Sequence, residues 1–164
     1  MAGDTLAPIA MKRPFAIALR APVFLCAASL AAFSALPLAA HAQTLDASLT
    51  CEESAHEFVS GLIGRGLIEP TPMRVESNSI NAFWPAHGEH MTAYGYTVFA
   101  IVGFEQDDAL FQKGSGKPIA RSAYGAVVLG SDRKVGAAVT EAGNHTAIVY
   151  HAGPLLTAIF CKQE

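Results

Sequence analysis

The sequence predicts an α+β fold in which one N-terminal helix packs on an antiparallel sheet of about four to six strands, with one disulfide. Three observations lead to this prediction. A helical apolar stripe that begins near Cys51 precedes a series of β-prone segments. From Ala123 to Cys161, apolar runs alternate with short polar turns, which is typical of a C-terminal β-meander. Cys51 and Cys161 lie near the two ends of this region, where a disulfide would close the domain.

Residues 1–42 have the pattern of a secretory signal peptide. A basic stretch is followed by an apolar run over 21–40, and Ala-His-Ala predicts cleavage after Ala42. Met11 is an alternative start, because the Met-Lys-Arg that it opens is an ordinary beginning for such a peptide. A transmembrane anchor is the alternative for the apolar run, but two prolines interrupt it. We therefore expect residues 43–164 to form one α+β domain, periplasmic or secreted, with no membrane anchor after cleavage.

The charge of residues 43–164 argues against several classes of partner. This part of the chain has eight Lys and Arg and thirteen Asp and Glu, which gives a net charge of −5. A nucleic-acid-binding protein needs a basic face, and an anionic membrane surface attracts polybasic patches. Its apolar content is sufficient for a core, which distinguishes it from a disordered chain.

Export also decides the prediction for the cysteines. In an oxidising compartment, the even count that remains after cleavage favours a Cys51–Cys161 disulfide. Closing so long a loop contributes up to roughly 4–5 kcal/mol in the chain-entropy model. Two unpaired buried thiols are the alternative.

The helix is predicted from about Cys51 to Arg65. Thr50 and Glu53 match a capping box at its start, and glycines end it. The segment 73–83 then reads as an edge strand with a polar middle. The segment 92–104 is apolar on both faces, which predicts a central strand.

The remaining elements follow from turn residues and apolar runs. The stretch 105–121 is irregular, and its Gly- and Ser-rich part suggests a mobile surface loop. In the meander, 123–129 pairs with 135–140 through a hairpin loop, and 145–150 and 155–161 follow. The many Gly and Ala residues in these strands predict that the helix lies close against them.

The most suggestive polar cluster is the loop that contains His87, Glu89 and His90. Imidazole and carboxylate groups are suitable ligands for zinc or copper. His145 and His151 could complete such a site if the fold brought them near. The spacing matches no metalloprotease motif, and a solvated loop without a cofactor is the alternative.

Aromatic residues near the same loop suggest a binding surface. Trp84, Tyr94 and Tyr96 lie at or near the start of the predicted central strand. Trp and Tyr are enriched at binding surfaces, so a patch there could receive a partner protein or a small ligand. Packing in the core is the alternative for the two tyrosines.

Catalytic motifs do not emerge from the sequence. Gly114 to Lys117 lacks the glycine spacing of a phosphate-binding loop, and no Gly-x-Ser-x-Gly elbow is present. The sequence therefore favours a small exported bacterial protein that acts without catalysis, as a periplasmic binding module of inhibitor, immunity or envelope-stress type. Its partner would be another exported or envelope protein. The alternatives are a metal-binding protein that uses the His87–His90 loop and a small hydrolase with a spatially assembled site.

Overall fold

The computed structural model describes residues 42–164, so the predicted signal peptide, except Ala42, lies outside the described residues. The α+β class is confirmed, because two helices accompany a mixed eight-stranded sheet. The expected single helix and four to six strands are wrong in detail. The Cys51–Cys161 disulfide is confirmed and links residues that are 110 apart in sequence.

The helices are α1 (Ala55–Gly64) and α2 (Asp132–Glu141), and a 3-10 turn (Ser48–Thr50) precedes α1. The strands, in chain order, are β1 (Gln43–Thr44), β2 (Arg74–Val75), β3 (Asn81–Phe83), β4 (Met91–Ala93), β5 (Tyr96–Glu105), β6 (Ser122–Leu129), β7 (Ile148–Gly153) and β8 (Leu156–Gln163). The sheet order is β1-β4-β5-β6-β8-β7, with β3 also paired to β5 and β2 paired to β3. Every pairing is antiparallel except that of β1 with β4.

The first helix begins one turn later than the predicted start at Cys51. Two consecutive Ser/Thr-x-x-Glu patterns are present, and the second, Ser54 with Glu57, forms the capping box. Ser54 Oγ accepts a hydrogen bond from Glu57 N at 3.2 Å, and the Glu57 carboxylate accepts one from Ser54 N at 2.9 Å. Thr50 instead belongs to the 3-10 turn, which Cys51 ends with a left-handed φ of 70°.

Two predicted strands are in fact hairpins. The segment 73–83 forms β2 and β3, whose polar middle is the turn between them. The segment 92–104 forms β4 and β5, because Tyr94 and Gly95 both adopt positive φ and make a tight turn. β5 is central, since β6 pairs along one of its sides and β3 and β4 along the other.

The largest correction concerns 135–140, which lies within α2 instead of a strand. Val135 and Val139 are four residues apart, and both are buried, as the core-facing stripe of a short helix requires. As a result β6 pairs with β8, which lies between β6 and β7. A final hairpin was predicted and is present as β7 and β8, although its first strand covers 148–153 instead of 145–150.

Both helices cover the same face of the sheet. On α1, Phe58 stacks on Tyr124 of β6 with ring centroids 4.7 Å apart. A Cβ on Gly103 of β5 would lie 2.7 Å from Val59 Cγ2, so this glycine lets α1 approach closely. On α2, Gly136 lies against Val149 of β7. We call this the covered face and its opposite the open face.

Candidate functional site

The open face contains a groove of about 500 Å³. Strand register places Val102 and Phe160 on either side of Gly125 of β6, and it places Val127 beside Ala158. The turn between β2 and β3, together with Ile119, borders one part of the groove, and Tyr150 to Ala152 of β7 border another. A concave apolar surface of this size is typical of a binding site.

The wall on the β2 side is fixed by the stretch that we expected to be a mobile loop. Gly116 N donates to Ser77 O at 2.7 Å, and Gly114 N donates to Ser79 Oγ at 3.0 Å. The Asn81 side chain makes two hydrogen bonds of 2.9 Å with the backbone of Gln112. These bonds hold the loop against the turn and give the groove a defined border.

Exposed apolar side chains extend the open face beyond the groove. Trp84 and Phe99 are 44% and 36% exposed and meet edge to face with centroids 5.1 Å apart. Leu129 is 49% exposed, and strand alternation puts it on the same face as Val127. Tyr150 is 46% exposed and meets Phe160 edge to face. Contiguous apolar exposure of this kind marks interaction sites in soluble proteins.

Glu76, which lines the groove, and Asp132, which begins α2 on the covered side of the sheet, are both paired within the chain. Glu76 is held by Arg74, with Nε and Oε1 2.7 Å apart. His151 Nδ1 lies 3.0 Å from Asp132 Oδ2, and the buried Thr157 hydroxyl lies 2.7 Å from Asp132 Oδ1. The Thr157 hydrogen bond is the main cause that lowers the pKa of the Asp132 carboxyl, and His151 lowers it further.

This Asp132–His151 pair is what a hydrolase would use to orient a base. The neighbouring hydroxyl, however, has its single hydrogen shared between the carboxylate and Gly130 O, which is 2.9 Å away, and it does not approach the imidazole. Across residues 42–164, no serine, threonine or cysteine side chain is hydrogen-bonded to His151. A nucleophile of the serine-hydrolase kind is therefore missing from the described arrangement.

The structure does not bring the three predicted aromatic residues together. Tyr94 has a structural role, because Asn144 Nδ2 donates to its hydroxyl at 2.6 Å and its backbone N donates to Asp46 Oδ1 at 2.7 Å. Burial raises the pKa of this phenol. Tyr96 packs beside Val135 of α2, where a Cβ on Gly130 would collide with both side chains. Trp84 alone is part of the open face.

The predicted metal loop is exposed and lies between β3 and β4. His87, Glu89 and His90 are all on the surface, and the backbone of Glu89 is tied to Ala86 O at 3.0 Å. His145 is exposed elsewhere, after α2. Among the described residues, no three His, Cys, Asp or Glu side chains are grouped so as to hold a metal ion.

The groove residues themselves did not emerge from the sequence. Their signal is the alternation of Ile148 and Tyr150 in β7 and of Leu156, Ala158 and Phe160 in β8. That alternation shows two apolar faces but does not say which one the helices cover.

Taken together, the fold and site define a small disulfide-closed α+β domain with one covered and one open sheet face. Within residues 42–164, no helix has the length and apolar character needed to cross a membrane. No protein-family model, curated protein or solved structure matches this chain. What can be argued about its function therefore comes from the geometry just described.

Proposed function

We propose that this protein is a non-enzymatic binding module, periplasmic or secreted, whose open face receives an apolar segment of another exported or envelope protein. The observation that carries the proposal is that the helices cover only one of the two sheet faces. Both helices cover one face, and the other presents a groove of about 500 Å³ that is bordered by the exposed Tyr150, with the exposed Trp84 and Phe99 beyond it. The disulfide and the signal-peptide pattern support export.

A protein segment fits this face better than a small molecule does. A small ligand would fill the groove but leave Trp84, Phe99 and Leu129 exposed, which are 44%, 36% and 49% accessible. Protein interfaces have an apolar centre enriched in Trp and Tyr and few unpaired charges. The open face has this composition, because Glu76, the acidic residue that lines the groove, is paired with Arg74 within the chain. An inhibitor, immunity or envelope-stress role would use such a surface.

The test begins in the exporting cell with a photo-crosslinking amino acid in place of Tyr150 or Trp84. The matched control position is Ala137, which is exposed on the outer side of α2, away from the open face. We expect one protein adduct from both open-face positions and none from the control. Equal crosslinking from Ala137 would contradict the proposal.

The crosslinked protein is then purified, and its affinity is measured by calorimetry. Trp84→Ala and Tyr150→Ala should each weaken binding about tenfold or more, as expected for interface hot spots. Leu155→Ala is the control, because Leu155 is 76% exposed but lies in the β7–β8 turn outside the groove. If both open-face variants bind as tightly as the unaltered protein, the open face is not the binding surface.

The two sequence-based alternatives have their own tests. Zinc or copper binding by His87, Glu89 and His90 would be lost in the His87→Ala/His90→Ala variant when ZnCl₂ or CuSO₄ is titrated. Unchanged affinity would remove that alternative. The hydrolase alternative depends on the Asp132–His151 pair, so hydrolysis of any ester or peptide substrate that survives His151→Ala would exclude this pair as its base.

A further inference from the structure

β7 is an uncharged edge of the sheet, and the irregularity in its pairing with β8 is confined to its end, between His151 and Gly153. It has six residues, whereas β1 and β2, which close other edges, have two residues each. Its sequence, Ile-Val-Tyr-His-Ala-Gly, contains no Lys, Arg, Asp, Glu or Pro, the residues with which proteins usually block an edge. Ile148 and Tyr150 on this strand are 40% and 46% exposed. Such an edge is a template for pairing with another strand.

We propose that β7 pairs with β7 of a second copy of this chain, antiparallel about a two-fold axis, so that two sheets become one. With the axis at Val149, Ile148 of one copy faces Tyr150 of the other on the open side. Aromatic and β-branched residues are a favoured cross-strand pair. His151 then faces Ala147 instead of a second imidazole. The strand is therefore complementary to itself, as a two-fold interface requires.

The absence of charged side chains on β7 favours an identical strand over a basic partner strand. Residues 147–153 have no Lys, Arg, Asp or Glu, while residues 43–164 carry a net charge of −5. A basic partner strand would find no acidic side chain on β7 to pair with, whereas an identical uncharged strand needs none. The net charge of each copy opposes the approach of two copies, so salt should strengthen this dimer by screening. A single strand pair buries less than a standard interface, which predicts a weak, reversible dimer.

The first test is sedimentation velocity of the protein isolated after export, from micromolar to near-millimolar concentration, at low and high salt. We expect a monomer–dimer equilibrium that shifts toward dimer at high salt. Ile148→Lys should weaken dimerisation at least tenfold, because the lysine would lose its water when β7 of the second copy pairs alongside it. Met73→Lys is the matched control, since Met73 is exposed to a similar extent, 37%, but lies before β2. It should leave the equilibrium unchanged.

The second test needs no substitution, so it does not depend on how well a variant folds. Hydrogen exchange of the unaltered protein should show protection of 148–153 that increases with protein concentration, while 74–75 in β2 does not change. A chain that stays monomeric throughout, a dimer that Ile148→Lys leaves intact, or exchange in β7 that ignores concentration would each overturn the proposal. It does not rest on the proposed function, because Ile148 does not line the groove.

Discussion

Removing the disulfide should destabilise this domain by roughly 5 kcal/mol. The bond between Cys51 and Cys161 joins residues 110 apart, so it closes nearly the whole described chain into one loop. In the chain-entropy model, the entropy removed from the unfolded chain grows with the logarithm of loop length and reaches roughly 5 kcal/mol at this separation. A domain of this length has a total stability of about 6–18 kcal/mol at usual values per residue. The bond therefore supplies a large share of that stability.

The folded state around the bond should change little when it is removed. The 3-10 turn before Cys51 is held separately, because the Tyr124 hydroxyl donates to Ser48 O at 3.1 Å and Asn144 Nδ2 donates to Leu49 O at 2.6 Å. Thr146 Oγ1 also donates to Thr50 O at 2.8 Å. The destabilisation should thus come mainly from a more expanded unfolded chain, which also predicts a larger denaturant slope.

The assay is urea unfolding, followed by circular dichroism, of the oxidised protein and of the Cys51→Ala/Cys161→Ala variant. The oxidised protein in reductant is a second comparison, which keeps the sequence unchanged. A loss below about 2 kcal/mol, or an unchanged slope with a large loss, would refute the entropic argument. In the second outcome the bond would act through the folded state instead.

Three further predictions test packing, capping and titration. Gly103→Ala should lower the free energy of unfolding by about 1–3 kcal/mol, because the new Cβ would lie 2.7 Å from a side chain of α1. Gly61→Ala, with no atom within 4 Å of the new Cβ, should raise it by about 0.5–1 kcal/mol. Equal effects in urea unfolding would count against the packing. Glu57→Ala should lower the free energy of unfolding by about 1 kcal/mol, whereas Glu53→Ala should not change it measurably. The reverse result would mean that the helix is capped by Thr50 and Glu53, as the sequence predicted. Burial raises the pKa of Tyr124 from 10.0 to about 12, so the unfolded phenol ionises first and stability should fall as pH rises from 10.0 through about 12. Tyr124→Phe should be less stable at neutral pH but lose less over that interval, and equal losses would argue against the shifted phenol.

The parts of the fold that the sequence predicted depend on composition and local pattern. The Cys51–Cys161 bond followed from the predicted export and an even cysteine count, which needed no geometry. The α1 stripe was found, but its start was placed one turn early because Thr50–Glu53 and Ser54–Glu57 match the same capping pattern. Only the backbone conformation decides between them, and Cys51 ends the earlier turn with a positive φ of 70°.

The segment 135–140 was misread for a different reason. Val-Gly-Ala-Ala-Val-Thr is short, rich in small residues and free of strong periodicity, so a strand and a helical turn are equally compatible with it. The tertiary structure decides, because β8 occupies the place beside β6 that a strand at 135–140 would need. The groove depends on the same non-local pairing, since its floor joins Val127 of β6 to Ala158 of β8. No local pattern predicts which distant strands become neighbours.

The open face and the β7 edge meet at Tyr150, and this contact makes the two proposals separable by experiment. Tyr150 borders the groove and would also lie at the seam between two copies. Ile148 lies outside the groove, and Trp84 lies on the same face but follows β3, several strands away from β7. Ile148→Lys should therefore abolish the dimer but leave partner crosslinking from Trp84 intact. Trp84→Ala should leave the dimer intact but weaken partner binding, measured by calorimetry, about tenfold or more. If Ile148→Lys also abolished crosslinking from Trp84, the partner would require the joined sheet of two copies. The reason is that a substitution in β7 would then have removed a contact made at Trp84, which is far from β7 on the sheet.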